Sequence, residues 1–401
     1  MKCRKNIQTN CKEDFKCERK NLNYMSIYLD NAATTKPCAA AIDEINRGLT
    51  ELYGNPSSLH SKGLQAQLAV YEARKIIAGS IGCDSRELYF TSGATESNNM
   101  AVRGTVAAYG KRKPKIITTT VEHASIRETI NELEMKGFEV IRIAPRKNGE
   151  FVPQDFIEAI DEKTCLISMM LVNNENGYIL PVKEVFSAVK RKFPDVITHC
   201  DCVQGFMKLN INVKELSADL ISLSAHKIHG AKGVGALYIK KGTRVVPIIT
   251  GGKQEKGIRS GTESVPLILG FGAAVKYMSS DITQRFGQLK ELKSFLLGNI
   301  KKIDGINLNS AENASPYIVN ISVCGIRSEI LLHFLEEREI YVSSGSACSK
   351  GAQSGVLEQF GVSRTDADSA IRISMNASTT KDELLTFVSS LADAKQRIMS
   401  A

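Results

Sequence analysis

The sequence predicts an α/β fold: a mostly parallel, seven-stranded sheet covered by helices, followed by a smaller α+β unit. Three observations carry this. Between about residues 60 and 240, short runs rich in Ile, Val, Leu and Thr recur. Stretches of helical spacing mostly separate them, which is the pattern of a parallel sheet covered on both faces. Polar residues able to do chemistry fall just past the carboxyl ends of these runs, where ligands of such sheets bind.

Taken in order, residues 1–24 hold seven Lys/Arg against three Asp/Glu and no apolar core for a secretory signal. They read as a disordered leader, or as an upstream extension of a chain whose natural start is Met25. Strand-like runs cover 87–91, 115–119, 138–144, 164–172, 196–201, 219–224 and 235–240, with helical spacing at 63–78 and 126–136. A long amphipathic helix then places Ile282, Phe286, Leu289, Leu292, Phe295, Leu296 and Ile300 on one face. Residues 317–323 and 369–375 read as strands. The capping-box pattern Thr380-Lys-Asp-Glu383 opens a last helix running to about Ile398. The expected division is a leader (1–24), a segment joining the small unit (25–35), a large α/β domain (36–279) and a small α+β domain (280–401).

Composition is that of an ordinary globular chain: 401 residues, 43% hydrophobic and 24% charged. No apolar run reaches the roughly 18 residues of a membrane span; the longest, 265–275, contains two glycines. The net charge of +9 divides into +4 in the leader and +5 in the rest. A solvated tail accounts for that more simply than direct nucleic-acid binding, which is not expected. The ten cysteines include no paired C-x-x-C pattern, so neither a zinc site nor a disulfide framework is expected. His199 and the pair Cys200 and Cys202 point to opposite faces of one strand and make a poor tetrahedral set. A cytoplasmic location is expected.

The candidate chemistry begins with Lys227, which follows the apolar run 219–223 and precedes the Gly-rich stretch Gly230-Ala-Lys-Gly-Val-Gly235. Desolvation there would lower a lysine's pKa and make it nucleophilic toward an aldehyde. Asp201, 26 positions earlier, also ends an apolar run. A carboxylate facing a pyridinium nitrogen keeps such a ring an electron sink, so the pair points to pyridoxal phosphate. Either residue alone is ambiguous, since most lysines are solvated and most turn aspartates are caps.

The turn Thr91-Ser-Gly-Ala-Thr-Glu-Ser97 aims backbone N–H groups and the Thr95 hydroxyl at an anion, or is a plain N-cap. His123 sits where an imidazole can stack on a flat cofactor or shuttle protons, although a lone histidine there is more often structural. Arg372 points away from the inward Ile371, Ile373 and Met375, toward solvent or a cleft, with solvent the plainer reading. Cys348, in Ser343-Ser-Gly-Ser-Ala-Cys348 with Lys350 just after, suits a mobile thiolate.

These residues lead to a resemblance. The chain from about residue 27 to its end resembles the cysteine desulfurases of the NifS/IscS type, class V aminotransferase relatives with pyridoxal phosphate and fold type I. It rests on Tyr28-Leu-Asp-Asn-Ala-Ala-Thr-Thr35, Gly54-Asn-Pro-Ser57, the Thr91–Ser97 turn, Glu122-His123, Val172-Asn-Asn-Glu175, Asp201 with Gln204, Ser224-Ala-His-Lys227, Arg259-Ser-Gly-Thr262, the Cys348 loop and Arg372.

The resemblance implies that Lys227 forms a Schiff base with the cofactor and later moves the Cα proton. Asp201 meets the pyridine nitrogen, Gln204 the ring hydroxyl, and His123 the ring face. Ala94, Thr95, Ser224 and His226 hold the phosphate, with Thr262 from the other subunit of a homodimer. Asn174 lies at the cofactor and, with Arg372, binds the carboxylate of L-cysteine. Cys348 receives the sulfur as a persulfide and passes it to acceptor proteins for iron–sulfur assembly or tRNA thiolation. It is also a candidate transient iron–sulfur ligand.

Three features depart from the family pattern: the leader, a loop after Cys348 about two residues shorter than in housekeeping members, and the run Ile-Ser-Met-Asn-Ala-Ser378 after Arg372. They bear on the acceptor and not on the core reaction. A related lyase that does not use the thiol, such as a selenocysteine lyase, and a basic partner-binding protein with a retired site remain alternatives.

Overall fold

The computed structural model describes residues 26–344 and 355–399, so the leader and Cys348 with its loop lie outside the described residues. Chain order runs β1 (Ile27–Tyr28), α1 (Ala39–Thr50), α2 (Ser61–Ser80), β2 (Leu88–Thr91), α3 (Ala94–Tyr109), β3 (Lys115–Thr119), α4 (Ala124–Met135) and β4 (Glu139–Ile143). It continues with α5 (Pro153–Ala159), β5 (Thr164–Met170), α6 (Val182–Lys192), β6 (Ile197–Asp201), β7 (Leu220–Ser224), β8 (Gly235–Ile239), α7 (Val265–Ser279) and α8 (Ile282–Ile300). The remainder is β9 (Ile306–Leu308), β10 (Ile318–Val323), α9 (Ser328–Glu336), β11 (Ile340–Tyr341), β12 (Ser343–Ser344), α10 (Val356–Gln359), α11 (Arg364–Asp368), β13 (Ala370–Ser374) and α12 (Lys381–Met399).

The large sheet has seven strands in the order β2-β8-β7-β6-β5-β3-β4, with β8 alone antiparallel to its neighbours. This is the predicted α/β architecture. Strand residues divide by parity between two cores, as a period of two requires. Ile117, Ile167 and Ile221 face the core that α2, α6 and α7 complete; Ile116, Leu166 and Leu220 face the one completed by α3 and α4. Helix α7 is apolar around most of its circumference because it packs against both α1 and α2, which explains the apolar run at 265–275.

A third core lies beneath the antiparallel sheet β12-β13-β10-β9. It joins Leu289, Leu292, Leu296 and Ile300 of α8 to Val319, Ile321, Ile371 and Ile373, with Leu384, Phe387 and Leu391 of α12 on top. The capping box of α12 forms as its sequence implies: Thr380 N–H donates to Glu383 Oε2 (2.7 Å) and Glu383 N–H to Thr380 Oγ1 (3.2 Å). Strand β1 pairs in parallel with β11, and Asp30 bridges to Ser374, so the N-terminal segment is stitched to this sheet before crossing to the larger one. No helix among the described residues is long and apolar enough to cross a membrane.

Candidate active site

The carboxyl ends of β2, β5, β6 and β7 open on a cleft of 590 Å³. Ala94, Thr95, His123, Asn174, Asp201, Gln204, Ser224, His226, Lys227 and Arg372 all line it. A larger basic depression, 1220 Å³, lies at the opposite strand ends around Asp195, Asp219 and Lys241 and holds none of these groups.

Register explains the convergence. Met170, Asp201 and Ser222 lie side by side across β5, β6 and β7, so Asp201, Ser224 and Lys227 emerge at one edge. The turn before α3 comes down on the start of β8: a Cβ on Gly235 would lie 2.8 Å from Gly93 Cα and 2.6 Å from Leu223 O. Only glycine permits that approach. The α3 N-terminus, with its unsatisfied backbone donors, thereby points into the cleft beside Ser224. Ser224 Oγ is buried and has no hydrogen-bond partner in the structure.

Asp201 is buried, and its two oxygens are bound from different elements. Asn98 Nδ2 donates to Oδ2 (2.8 Å), and Val203 N–H donates to Oδ1 (3.0 Å). Asn98 Nδ2 also reaches Ser125 Oγ (2.8 Å), which lies 2.9 Å from His123 Nδ1. Burial lowers the pKa of His123, and Lys227 adds to this while Asp201 opposes it. Burial and the nearby Lys227, Lys232 and Lys208 push His226 down to about 4, so that ring is neutral at pH 7. Glu122, buried next to His123 in the chain, accepts from Thr119 Oγ1 (2.7 Å) and Met170 N–H (2.9 Å); burial pushes its carboxyl up to about 8.

Lys227 Nζ donates to the carbonyls of Ala32 (2.5 Å) and Ala33 (2.7 Å). Gln204 Nε2 donates to the same Ala32 oxygen at 2.9 Å. Arg372 corrects the plainer sequence reading: it is 6% exposed and faces the cleft, not solvent. Its Nη1 donates to Asn174 O (2.9 Å) and Nη2 to Asp30 Oδ1 (2.8 Å), while Nε is buried without a partner. The covering groups come from the β5–α6 loop and the N-terminal segment, which strand alternation at β13 alone does not reveal.

Thr262 is exposed and does not line the cleft of its own chain. Arg259, from the same motif, donates to Glu96 Oε1 at 2.7 Å. Burial pushes Glu96 up, but the donors Arg259 and Ser92 outweigh it and hold the carboxyl below its usual range. Cys348 lies outside the described residues. Among the described residues no cluster of His, Cys, Asp or Glu could hold a metal; Cys200 and Cys202 are buried with their sulfurs 3.3 Å apart.

Sequence reasoning gave no role to Asp30, Ala32, Asn98, Ser125 or Lys208. Asn98 had a usable signal: it lies one turn after Ala94 on α3 and so shares the face that meets the cleft.

The chain belongs to the class V aminotransferase family, whose profile matches residues 27–387. It is 40% identical over 362 residues to a protein of Dictyoglomus turgidum named cysteine desulfurase IscS, covering 89% of this chain and 91% of that one. A solved structure described as a NifS-like protein superposes with a TM-score of 0.88 at 36% identity, covering 93% of this chain and all (100%) of that one. Another, SspA in complex with cysteine, gives a TM-score of 0.78 at 33% identity, covering 88% of this chain and 100% of that one.

Membership of this family implies dependence on pyridoxal phosphate, and the cleft fits that group. A buried hydroxyl without a partner stands beside a helix N-terminus, where a phosphate would satisfy both. Across the cleft stands a buried carboxylate anchored for a ring nitrogen.

Proposed function

We propose that this protein is a cysteine desulfurase that takes sulfur from L-cysteine, releases L-alanine and carries the sulfur as a persulfide on Cys348. The observation that carries this reading is one cleft holding the amine of Lys227, the anchored carboxylate of Asp201 and the inward fork of Arg372. The named relatives support it.

Pyridoxal phosphate, when bound, supplies an electron sink for the substrate's Cα electrons. Lys227 Nζ is the amine that would anchor it and would then move the Cα proton. Asp201 would hold a proton on the ring nitrogen, with Asn98 keeping the carboxylate in place. Gln204 and neutral His123 would contact its ring. Ala94, Thr95, Ser224 and His226 would hold the phosphate, joined by Thr262 from a second copy in a homodimer.

Arg372 and Asn174 bind the substrate carboxylate through a planar fork and an amide. The Cys348 thiolate then attacks the substrate's Sγ. An S–S bond forms as Cβ–Sγ breaks, the bonding pair stays with the substrate carbon, and protons return to Cβ and Cα to complete alanine. The loaded sulfur passes to acceptor proteins for iron–sulfur assembly or tRNA thiolation, with a nascent cluster ligated by Cys348 as a further cargo. We place the protein in the cytoplasm. The segment 25–35 joins the unit formed by 280–401, with 36–279 as the larger domain.

The test is Lys227→Ala: alanine formation from L-cysteine falls to background while the fold is retained by circular dichroism. Retention of full alanine production would remove the reading.

A further inference from the structure

A second, smaller cavity of 40 Å³ shares Lys227 with the cleft. Its lining includes three cations, Lys208, Lys227 and Arg285, and no Asp or Glu among the described residues. Lys208 is 5% exposed. Its ammonium donates to Gln204 Oε1 at 3.3 Å and lies 5.4 Å from the centre of the Tyr317 ring. Both are neutral partners, and no carboxylate pairs with it among the described residues. The Tyr317 hydroxyl is buried and has no hydrogen-bond partner. Arg285 donates to the backbone carbonyls of Tyr277 (3.0 Å) and Met278 (3.1 Å), which are neutral too.

A buried ammonium such as that of Lys208, whose contacts in the structure are neutral groups, is costly. It is relieved by losing a proton or by taking in an anion. Arg285 cannot lose its proton in the working range. The cavity exceeds the roughly 10–15 Å³ that one water needs, so a single compact ion has room. We infer that this cavity is a binding site for a small inorganic monovalent anion of the halide class, held by the Lys208 ammonium and the Tyr317 hydroxyl.

The two groups offer the donors such an ion requires, one charged and one neutral. Burial, reinforced by Lys227 and Arg372, pushes Lys208 down to about 7, and a bound anion opposes that by favouring the ammonium. The ion would hold Lys208 against Gln204 and lower the positive potential at Lys227, so halide supply would bear on the cleft without entering it. The site stands on the cavity alone and does not depend on the desulfurase reading.

The test compares thermal unfolding of the full chain, with its coenzyme, in sodium chloride, bromide or gluconate at equal ionic strength. Wild type is expected to show a saturable rise in Tm with chloride and bromide but not gluconate. Lys208→Met is expected to weaken the apparent affinity by roughly tenfold or more, and Tyr317→Phe to weaken it less. A bromide-soaked crystal is expected to show an anomalous peak between Lys208 and Tyr317. Equal responses to halide and gluconate, or a water alone in the cavity, would overturn the proposal. If Lys208→Met fails to fold, Tyr317→Phe and the bromide map decide the matter.

Discussion

Asn98 Nδ2 donates to Asp201 Oδ2 at 2.8 Å, so the helix whose N-terminal turn lines the cleft also positions the acid at the end of β6. The α3 turn, Asp201 and His123 are thus linked through one side chain: the same amide reaches Ser125 Oγ, which sits against His123.

Replacing Asn98 with Ala removes a donor to a buried carboxylate, a contact worth about 1.5–3 kcal/mol. The dissociation constant for pyridoxal phosphate should rise roughly tenfold or more, measured by absorbance titration of the apoprotein. Unchanged affinity would mean that Asp201 is held adequately by Val203 N–H alone.

Arg372→Lys keeps the charge but loses the planar fork that contacts Asn174 O and Asp30. The KM for L-cysteine should rise roughly tenfold or more with a smaller fall in kcat, as for a group that binds without reacting. A variant with unchanged KM would move the substrate carboxylate elsewhere.

Glu122 has a folded-state pKa of about 8 against an ordinary 4.5, because it is buried. In that interval the folded chain holds a proton that the unfolded chain has released. Its contribution to stability is therefore complete below about 4.5 and is lost as pH rises through 8. Glu122→Gln keeps the acceptor for Met170 N–H, so its Tm should fall less than wild type between pH 5 and about 8. Parallel melting curves would show that Glu122 stays ionised in the fold.

Lys208 works in the opposite sense. Its pKa falls from 10.5 to about 7, chiefly by burial. The group's penalty on the fold is full below about 7 and is relieved as pH climbs toward 10.5. In halide-free buffer, wild type should gain stability relative to Lys208→Met from pH 7 to 9, and added bromide should flatten that gain. The other titratable or charged groups around the cavity, Lys227, His229, Arg285, Tyr277 and Tyr317, are unchanged in the variant and cancel in the comparison. No difference in pH dependence would place the Lys208 ammonium in water.

Much of this molecule is legible in its sequence. All seven large-sheet strands fall within about two residues of their sequence-predicted bounds, because β-branched apolar runs bounded by turns have few other uses. Ten predicted site residues meet in one cleft because strand register carries them to a common edge. What stayed hidden depends on distant chain. The run at 265–275 gave no hint of its partners, since α7 is apolar on the sides that α1 and α2 cover. Arg372 showed its face but not the Asp30 and Asn174 that cover it. Nothing in the sequence marks Lys208 as buried, because Tyr317, whose ring it meets, is more than 100 positions away. Cys348 and the leader lie outside the described residues, so their roles rest on the sequence and the relatives.

Receipt of sulfur by Cys348 is tested most directly by giving the protein L-cysteine, trapping reactive thiols and mapping them by mass spectrometry. One additional sulfur atom should appear on the peptide bearing Cys348, with alanine released in step. In Cys348→Ala both that modification and alanine release should drop to background, while cofactor binding persists. Undiminished alanine and sulfide release from Cys348→Ala would contradict the account.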